Sequence, residues 1–333
     1  MAKGFTLAVL PWVYIAKHGE DGKWSGDYIE KPHKSPKEEA AMNDDERTKL
    51  QEQRNSFPEL PLVNYTTQYG MGCFEGMKAF PQKDGSMKLF RPDRNGKRMH
   101  DSLIGLKSPG FPVDMFVDAA KGMVKRNKDI GFAPKYNPEW EKDDFQSGES
   151  VYIRPFSYSE PAIGLGISKH PWVVFASTEV GAYFKPGSHA AKVTDKIRAF
   201  KGGTGWIKCD ANYVVPILAK KEAEAGTLVT PELGDTILPG ITRDSLLTIA
   251  QDLGVKTEER KITIEEAMDS GKECFVSGTA AGLSYIESIT YNGKTAEFND
   301  RKMGELSQQL LNTLKGIQYG KVEDKFGWMV DVG

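Results

Sequence analysis

Runs of apolar residues and their spacing divide the chain into alternating strands and helices. Residues 7–16 are apolar and aromatic and predict a strand, closed by a charged turn at 19–23. Residues 31–56 are strongly polar and predict a solvated excursion or a short surface helix. A glycine-punctuated stretch over 65–80 ends in a predicted strand, and Asp84-Gly85 turns it into a second one over 87–91. Arg91-Pro92-Asp93 opens a helix that carries Arg98 and Met99. Residues 113–127 place Met115, Phe116, Ala119, Met123 and Val124 on one side of an amphipathic helix. Strands follow over 151–156 and 172–176.

Lys185-Pro186-Gly187-Ser188 has the composition of a linker and ends this first α+β unit. The expected division is a small domain over 1–184, a linker over 185–189 and a larger domain over 190–333. In the second unit, residues 212–225 predict a helix with Val215, Leu218, Ala219 and Ala223 on one stripe and Pro216 in its first turn. A helix after Pro239-Gly240 carries Leu246, Leu247, Ala250 and Leu253 and stops at Gly254. Thr263 and Glu266 form a capping box for a short helix ending at Gly271. A strand over 273–277 empties into Gly278-Thr279-Ala280-Ala281-Gly282. A hairpin over 283–298 turns at Asn292-Gly293, and a last helix spans 303–317. Alternating strand and helix of this kind gives the fold class as α+β or α/β.

Charge changes the picture by exclusion. With 44 basic and 46 acidic residues mixed along 333 positions, the chain lacks the basic stripe of a nucleic-acid binder. No uncharged run approaches the roughly 20 residues of a membrane span, and the N-terminal residues carry no signal-peptide pattern. Cys73, Cys209 and Cys274 are odd in number and widely spaced, which fits a reducing compartment; a cytoplasmic protein without a metal site is expected.

Candidate chemistry centres on Lys208. It follows the glycine-rich Gly202-Gly203-Thr204-Gly205 and precedes a helix, a place where an amine can be fixed and desolvated and so become a nucleophile toward carbonyls. A solvated surface lysine is the competing reading. Ile241 and Thr242 start a helix directly after Pro-Gly, so their backbone N–H groups can face an anion. Gly278-Thr279-Ala280 has the composition of a backbone nest with a hydroxyl added, or of a close-packed bend. Arg98 offers a fork to a phosphate or lies on a helix surface. Alternation puts Tyr152, Arg154 and Phe156 on one strand face, where the guanidinium meets an anion or an internal carboxylate. Tyr69, Phe74 and Tyr183 stand among glycines, able to wall a pocket or fill a core.

These motifs match a known family jointly and in order. The chain resembles the branched-chain amino-acid aminotransferases, pyridoxal-phosphate enzymes of fold type IV with a two-domain, D-amino-acid-aminotransferase-like fold. The resemblance rests on Phe74-Glu75-Gly76-Met77-Lys78-Ala79-Phe80, Leu89-Phe90-Arg91-Pro92, Tyr152-Ile153-Arg154-Pro155, Gly181-Ala182-Tyr183-Phe184, Lys208 to Tyr213, Leu228 to Leu233, Ile237 to Leu247 and Ser277 to Ala281. It implies that Lys208 binds pyridoxal 5'-phosphate covalently and shuttles the substrate proton, and that Tyr213 hydrogen-bonds the cofactor's O3′. It implies that Arg98, Ile241, Thr242 and Thr279 hold the phosphate. The amides of Thr279 and Ala280, beside Gly278, would receive the substrate carboxylate. Tyr69, Phe74, Tyr152, Arg154 and Tyr183 would line the substrate side, Arg154 admitting the acidic side chain of glutamate. The implied activity is transamination of L-leucine, L-isoleucine and L-valine with 2-oxoglutarate by a homodimer. D-amino-acid transamination and aminodeoxychorismate lysis on the same fold are the alternatives.

One departure stands out. The family carries a strand, a turn and a strand before its Leu-Val-Thr-Pro stretch, and that insert bears the glutamate that pairs with the pyridine nitrogen. Here Ala223-Glu224-Ala225-Gly226 runs straight into Thr227-Leu228-Val229-Thr230. A segment absent from this sequence but present in the full polypeptide accounts best for it, because two core strands cannot vanish while their flanks stay family-like without exposing backbone and apolar surface. A true deletion would leave a catalytically weak cofactor binder. An intact mass of 36.9 kDa would rule out the missing segment.

Overall fold

The computed structural model describes residues 8–57, 59–181, 189–192, 197–216, 233–234, 236–269 and 272–333. Its elements in chain order begin with β1 (Trp12–His18), β2 (Trp24–Glu30), α1 (Pro36–Ala41), α2 (Asp44–Arg54) and α3 (Tyr65–Tyr69). Then come β3 (Met77–Pro81), β4 (Met87–Phe90), α4 (Pro92–Gly105), α5 (Val113–Asp129), β5 (Ser150–Tyr158) and β6 (Trp172–Val180). The rest are β7 (His189–Lys192), α6 (Ile241–Asp252), α7 (Ile264–Asp269), β8 (Phe275–Gly278), β9 (Gly282–Tyr291), β10 (Lys294–Glu297), α8 (Glu305–Gln318) and β11 (Met329–Asp331).

Seven strands in the order β11-β4-β3-β5-β6-β1-β2 form one sheet, antiparallel throughout. Strand β3 is buried at every position because helices cover one of its faces and the second core covers the other. The first core packs Phe116, Ala119, Ala120, Met123 and Val124 of α5 and Met99 and Leu103 of α4 against Met77, Ala79, Leu89, Val151, Ile153 and Phe175. The α5 stripe keeps Phe116, Ala119, Met123 and Val124 of the predicted face, adds Ala120 and leaves Met115 only partly buried. The second core joins Phe80 and Phe90 to Leu246, Ile249 and Ala250 of α6 and Leu310, Leu311, Leu314 and Ile317 of α8. A smaller sheet runs β10-β9-β7, with β7 parallel to β9, and β8 pairs with β9 from the other end.

Local signals account for most boundaries. Residues 31–56 fold as two short helices with reciprocal caps, Ser35 with Glu38 and Asn43 with Glu46, and α2 ends in a buried Arg54 that pairs with Glu39 and donates to the carbonyls of Pro32 and Val9. The excursion is therefore anchored, which its polarity hides. Asn292 and Gly293 take positive φ, as the two-residue turn between β9 and β10 requires. Thr263 caps α7 through its hydroxyl, but Glu266 turns its carboxylate to Arg260 instead of closing the box.

Four expectations shift. Strand β1 begins at Trp12, after Pro11, which has no N–H for the ladder. Strand β2 escapes the apolar pattern because it is a largely solvated edge, paired among the described strands with β1 and tied to the helices by Trp24 and Tyr28. On α6 the buried stripe is Leu246, Ile249 and Ala250, whereas Leu247 is only partly buried and Leu253 is exposed. The C-terminal residues return to the first sheet as β11, beside β4. The 185–188 linker and most of the 212–225 helix lie outside the described residues; residues 214–216 are helical.

Candidate active site

Three distant stretches converge on Lys208. The loop 72–76 threads between β5 and the segment 207–210: the backbone of Cys73 pairs with that of Cys209 in an antiparallel β-bridge, Phe74 pairs likewise with Phe156, both cysteines being free thiols, and the Phe74 N–H donates to the Lys208 carbonyl at 3.1 Å. The Lys208 N–H donates to the Ser102 hydroxyl of α4 at 3.1 Å. Asn212 ties the glycine-rich loop to the same place, donating to the Thr204 and Ile207 carbonyls at 2.7 and 2.9 Å and accepting from the Thr204 hydroxyl at 2.8 Å. The lysine backbone is thus fixed on both sides, and its side chain has little freedom left to lose.

The amine lies 2.6 Å from the Tyr213 hydroxyl and 4.5 Å from the centroid of the Phe74 ring. Burial is the main cause that brings its pKa down to about 8, with the Arg98, Arg154 and Arg198 charges adding to it and Glu75 opposing. Burial also raises the Tyr213 phenol, so it stays protonated and able to donate. The surface-lysine reading of Lys208 is therefore set aside by its surroundings. Beside it, burial pushes the Asp210 carboxyl up to about 6.

The substrate-side candidates partly assemble here. Tyr152 and Arg154 share a face of β5, and the guanidinium donates to the Tyr152 hydroxyl at 2.7 Å while lying 4.7 Å from the Phe74 ring centroid. Arg154 forms no ion pair among the described residues, so its expected internal carboxylate is not found there. A methyl at Gly76 would crowd the Tyr152 hydroxyl, so a larger residue there would displace that phenol. Tyr69 ends α3 and is 38% exposed, and Tyr183 lies outside the described residues.

Ile241, Thr242, Gly278 and Thr279 line one cavity together with Lys78, Asn95 and Lys315. The start of α6 has no side-chain cap, so its first amides are open to an anion. Arg98 is differently placed from the free fork expected of it. Its Nε and Nη2 clamp the two oxygens of Glu75 at 2.6 and 2.8 Å, and Nη1 donates to the Pro239 carbonyl at 2.8 Å. Two of its N–H bonds remain. Asn95, on the cavity wall, also donates to Glu75 at 2.8 Å.

Glu75 is thus the link between the lysine cluster and the anion cavity, and the residue-by-residue reading gave it no role. Its signal was available: an acid inside a run whose neighbours are all core-like must be buried, and a buried carboxylate needs a cation. Lys78 carried the same signal within Met77-Lys78-Ala79-Phe80. The buried amine, the phenol and the uncapped helix start together suit a phosphorylated aldehyde cofactor. No partner for a pyridine nitrogen is placed among the described residues, the 217–232 junction lying outside them.

Comparison with known proteins gives the class first. Residues 217–289 match the family model described as amino-transferase class IV. The chain is 35% identical over 307 residues to the probable branched-chain-amino-acid aminotransferase of Staphylococcus epidermidis, covering 79% of this chain and 81% of that one. Among solved structures, the branched-chain aminotransferase of the archaeon Thermoproteus uzoniensis with norvaline matches with a TM-score of 0.69 at 24% identity, over 98% of this chain and 100% of that one. The branched-chain aminotransferase of Thermobaculum terrenum in its pyridoxal-phosphate form matches with a TM-score of 0.68 at 21% identity, over 98% and 99%. The fold is that of the fold-type-IV aminotransferases. This chain belongs to the branched-chain-amino-acid aminotransferase family.

Proposed function

We propose that the protein transfers the amino group between L-leucine, L-isoleucine or L-valine and 2-oxoglutarate, giving branched-chain 2-oxo acids and L-glutamate, with pyridoxal 5'-phosphate as cofactor. The observation that carries this is the Lys208 amine, buried under Phe74 and 2.6 Å from the Tyr213 hydroxyl. When bound, the cofactor supplies the electron sink that lets an amino acid lose its Cα proton. Lys208 holds the cofactor through its amine and carries that proton. Tyr213 keeps the amine oriented. The amides of Ile241 and Thr242, the Thr279 hydroxyl and the two free N–H bonds of Arg98 receive the phosphate. Tyr152, Phe74, Tyr69 and Tyr183 take the aliphatic side chain, and Arg154 the second carboxylate of glutamate. Gly278, Thr279 and Ala280 receive the carboxylate next to Cα.

The chain is proposed to act as a homodimer in the cytoplasm. Leu62, Val63, Ile163, Leu165 and Ile167 are exposed on two loops joined by the Ala162 N–H to Val63 carbonyl bond, an apolar group of the kind a partner subunit covers. Among the described residues no helix is long and apolar enough to cross a membrane. The test is an absorbance spectrum of the protein with pyridoxal phosphate before and after L-leucine, repeated with Lys208→Ala. A visible band that bleaches with leucine and is missing in the variant supports the assignment, and equal spectra for the two proteins sink it. A second reading follows from the direct run of Ala225-Gly226 into Thr227-Leu228 in the sequence: a weak cofactor binder, which would show the band without turnover.

A further inference from the structure

The anion cavity contains a cation that the assignments above leave unused. Lys315 of α8 is only 9% exposed, lines the cavity with Thr242, Gly278 and Thr279, and has no hydrogen-bond acceptor among the described residues. What its amine meets is the Tyr319 ring, with the centroid 5.8 Å away. Its stem runs under the 278–282 turn, so a methyl at Gly282 would touch its Cε at 3.6 Å. Lys78, from β3, enters the same cavity and donates to the Ala280 carbonyl at 3.1 Å. Asp143 is the carboxylate that acts on Lys315, yet it forms no ion pair with it, and among the described residues no carboxylate pairs with Lys78. The Lys315 amine, without an acceptor among the described residues, and the Lys78 amine, met by a carbonyl, line one cavity with the uncapped start of α6, a concentration of positive charge that an anion would answer.

We propose that Lys315, with Lys78 across the cavity from it, is a further anchor for the phosphate monoester of the cofactor, beyond the helix-start amides, the Thr279 hydroxyl and Arg98. This rests on the pyridoxal-phosphate reading. Burial brings Lys315 down to about 8 and Lys78 to about 7, so in the empty cavity part of each population sheds its proton. A bound dianion would restore the charge.

The experiment compares wild type with Lys315→Met, titrating each apo-protein with pyridoxal phosphate and, separately, with pyridoxal, which lacks the phosphate. The variant should bind pyridoxal phosphate about ten- to a hundredfold more weakly, the loss expected for one charge-assisted hydrogen bond, and pyridoxal unchanged. Its thermal midpoint without any anion should equal or exceed that of wild type, since an unpaired buried ammonium is gone. Inorganic phosphate should raise the wild-type midpoint more than that of the variant. Equal weakening toward both aldehydes, unaltered pyridoxal-phosphate affinity, or collapse of the anion-free variant would overturn the proposal. If wild type takes up neither aldehyde, the cofactor reading fails, and the phosphate-dependent midpoint judges Lys315 by itself.

Discussion

The amine of Lys208 and the phenol of Tyr213 stand 2.6 Å apart at the end of a loop that Asn212 pins from within. A desolvated amine next to a protonated phenol is available as a nucleophile near neutrality. The rate at which apo-protein captures pyridoxal phosphate should therefore climb with pH as the amine loses its proton and level off just above about 8. A lysine at the ordinary 10.5 would still be gaining reactivity there. Stopped-flow absorbance across pH 6 to 10 separates the two, roughly spanning both titrations.

Glu75 is fully buried, and its two oxygens are taken by Arg98. Glu75→Gln leaves that guanidinium without its counter-charge and should cost about 3–5 kcal/mol, read as a lower urea midpoint with unchanged slope. Because the Glu75 charge holds the Lys208 pKa up, the same variant should move the capture profile to lower pH. An unchanged profile would mean that the carboxylate does not reach the amine.

Arg154 has no carboxylate of its own among the described residues and faces Phe74 and Tyr152. Arg154→Met should raise the KM for glutamate about ten- to a hundredfold, as loss of a charge-assisted hydrogen bond does, and leave the KM for leucine within a few-fold. Steady-state kinetics with each substrate decides it. An equal rise for both would make Arg154 a general support of the pocket.

Phe116 is fully buried between α5 and the first sheet, edge-on to Phe175 at 5.0 Å. Phe116→Ala should destabilise the protein by about 3–5 kcal/mol, seen by chemical denaturation, through lost burial and the cavity left behind.

Elements with a strong period were legible in the sequence. Helix α5 shows its stripe because one face meets a flat sheet and the other meets water, and the β9–β10 turn announces itself because Asn292-Gly293 accepts positive φ without strain. Strand β2 was silent, since it ends the sheet among the described residues and its largely exposed positions ask for no apolar alternation. The site was legible as residue types rather than as geometry. Lys208, the helix start at Ile241 and the Gly278-Thr279 turn could be named from local composition. That Glu75 would claim most of Arg98 could not, because the pair joins a loop to a helix 23 positions on and depends on β3 passing between two cores. Lys315 has no signal in the sequence beyond its place near the end of an amphipathic helix, because the turn at 278–282 that lies over it is distant in the chain.

Strand β11 carries a consequence for how the molecule is made. The hydrogen bonds along the outer side of β4 are supplied by residues 329–331, synthesised after every other strand of that sheet, which is otherwise complete by residue 180. Until the tail arrives, a nascent chain carries β4 as an open edge, a template for pairing with any other extended strand. Maturation of the amino-terminal half is then coupled to completion of the carboxy-terminal half, and a ribosome stalled anywhere between them leaves that edge bare.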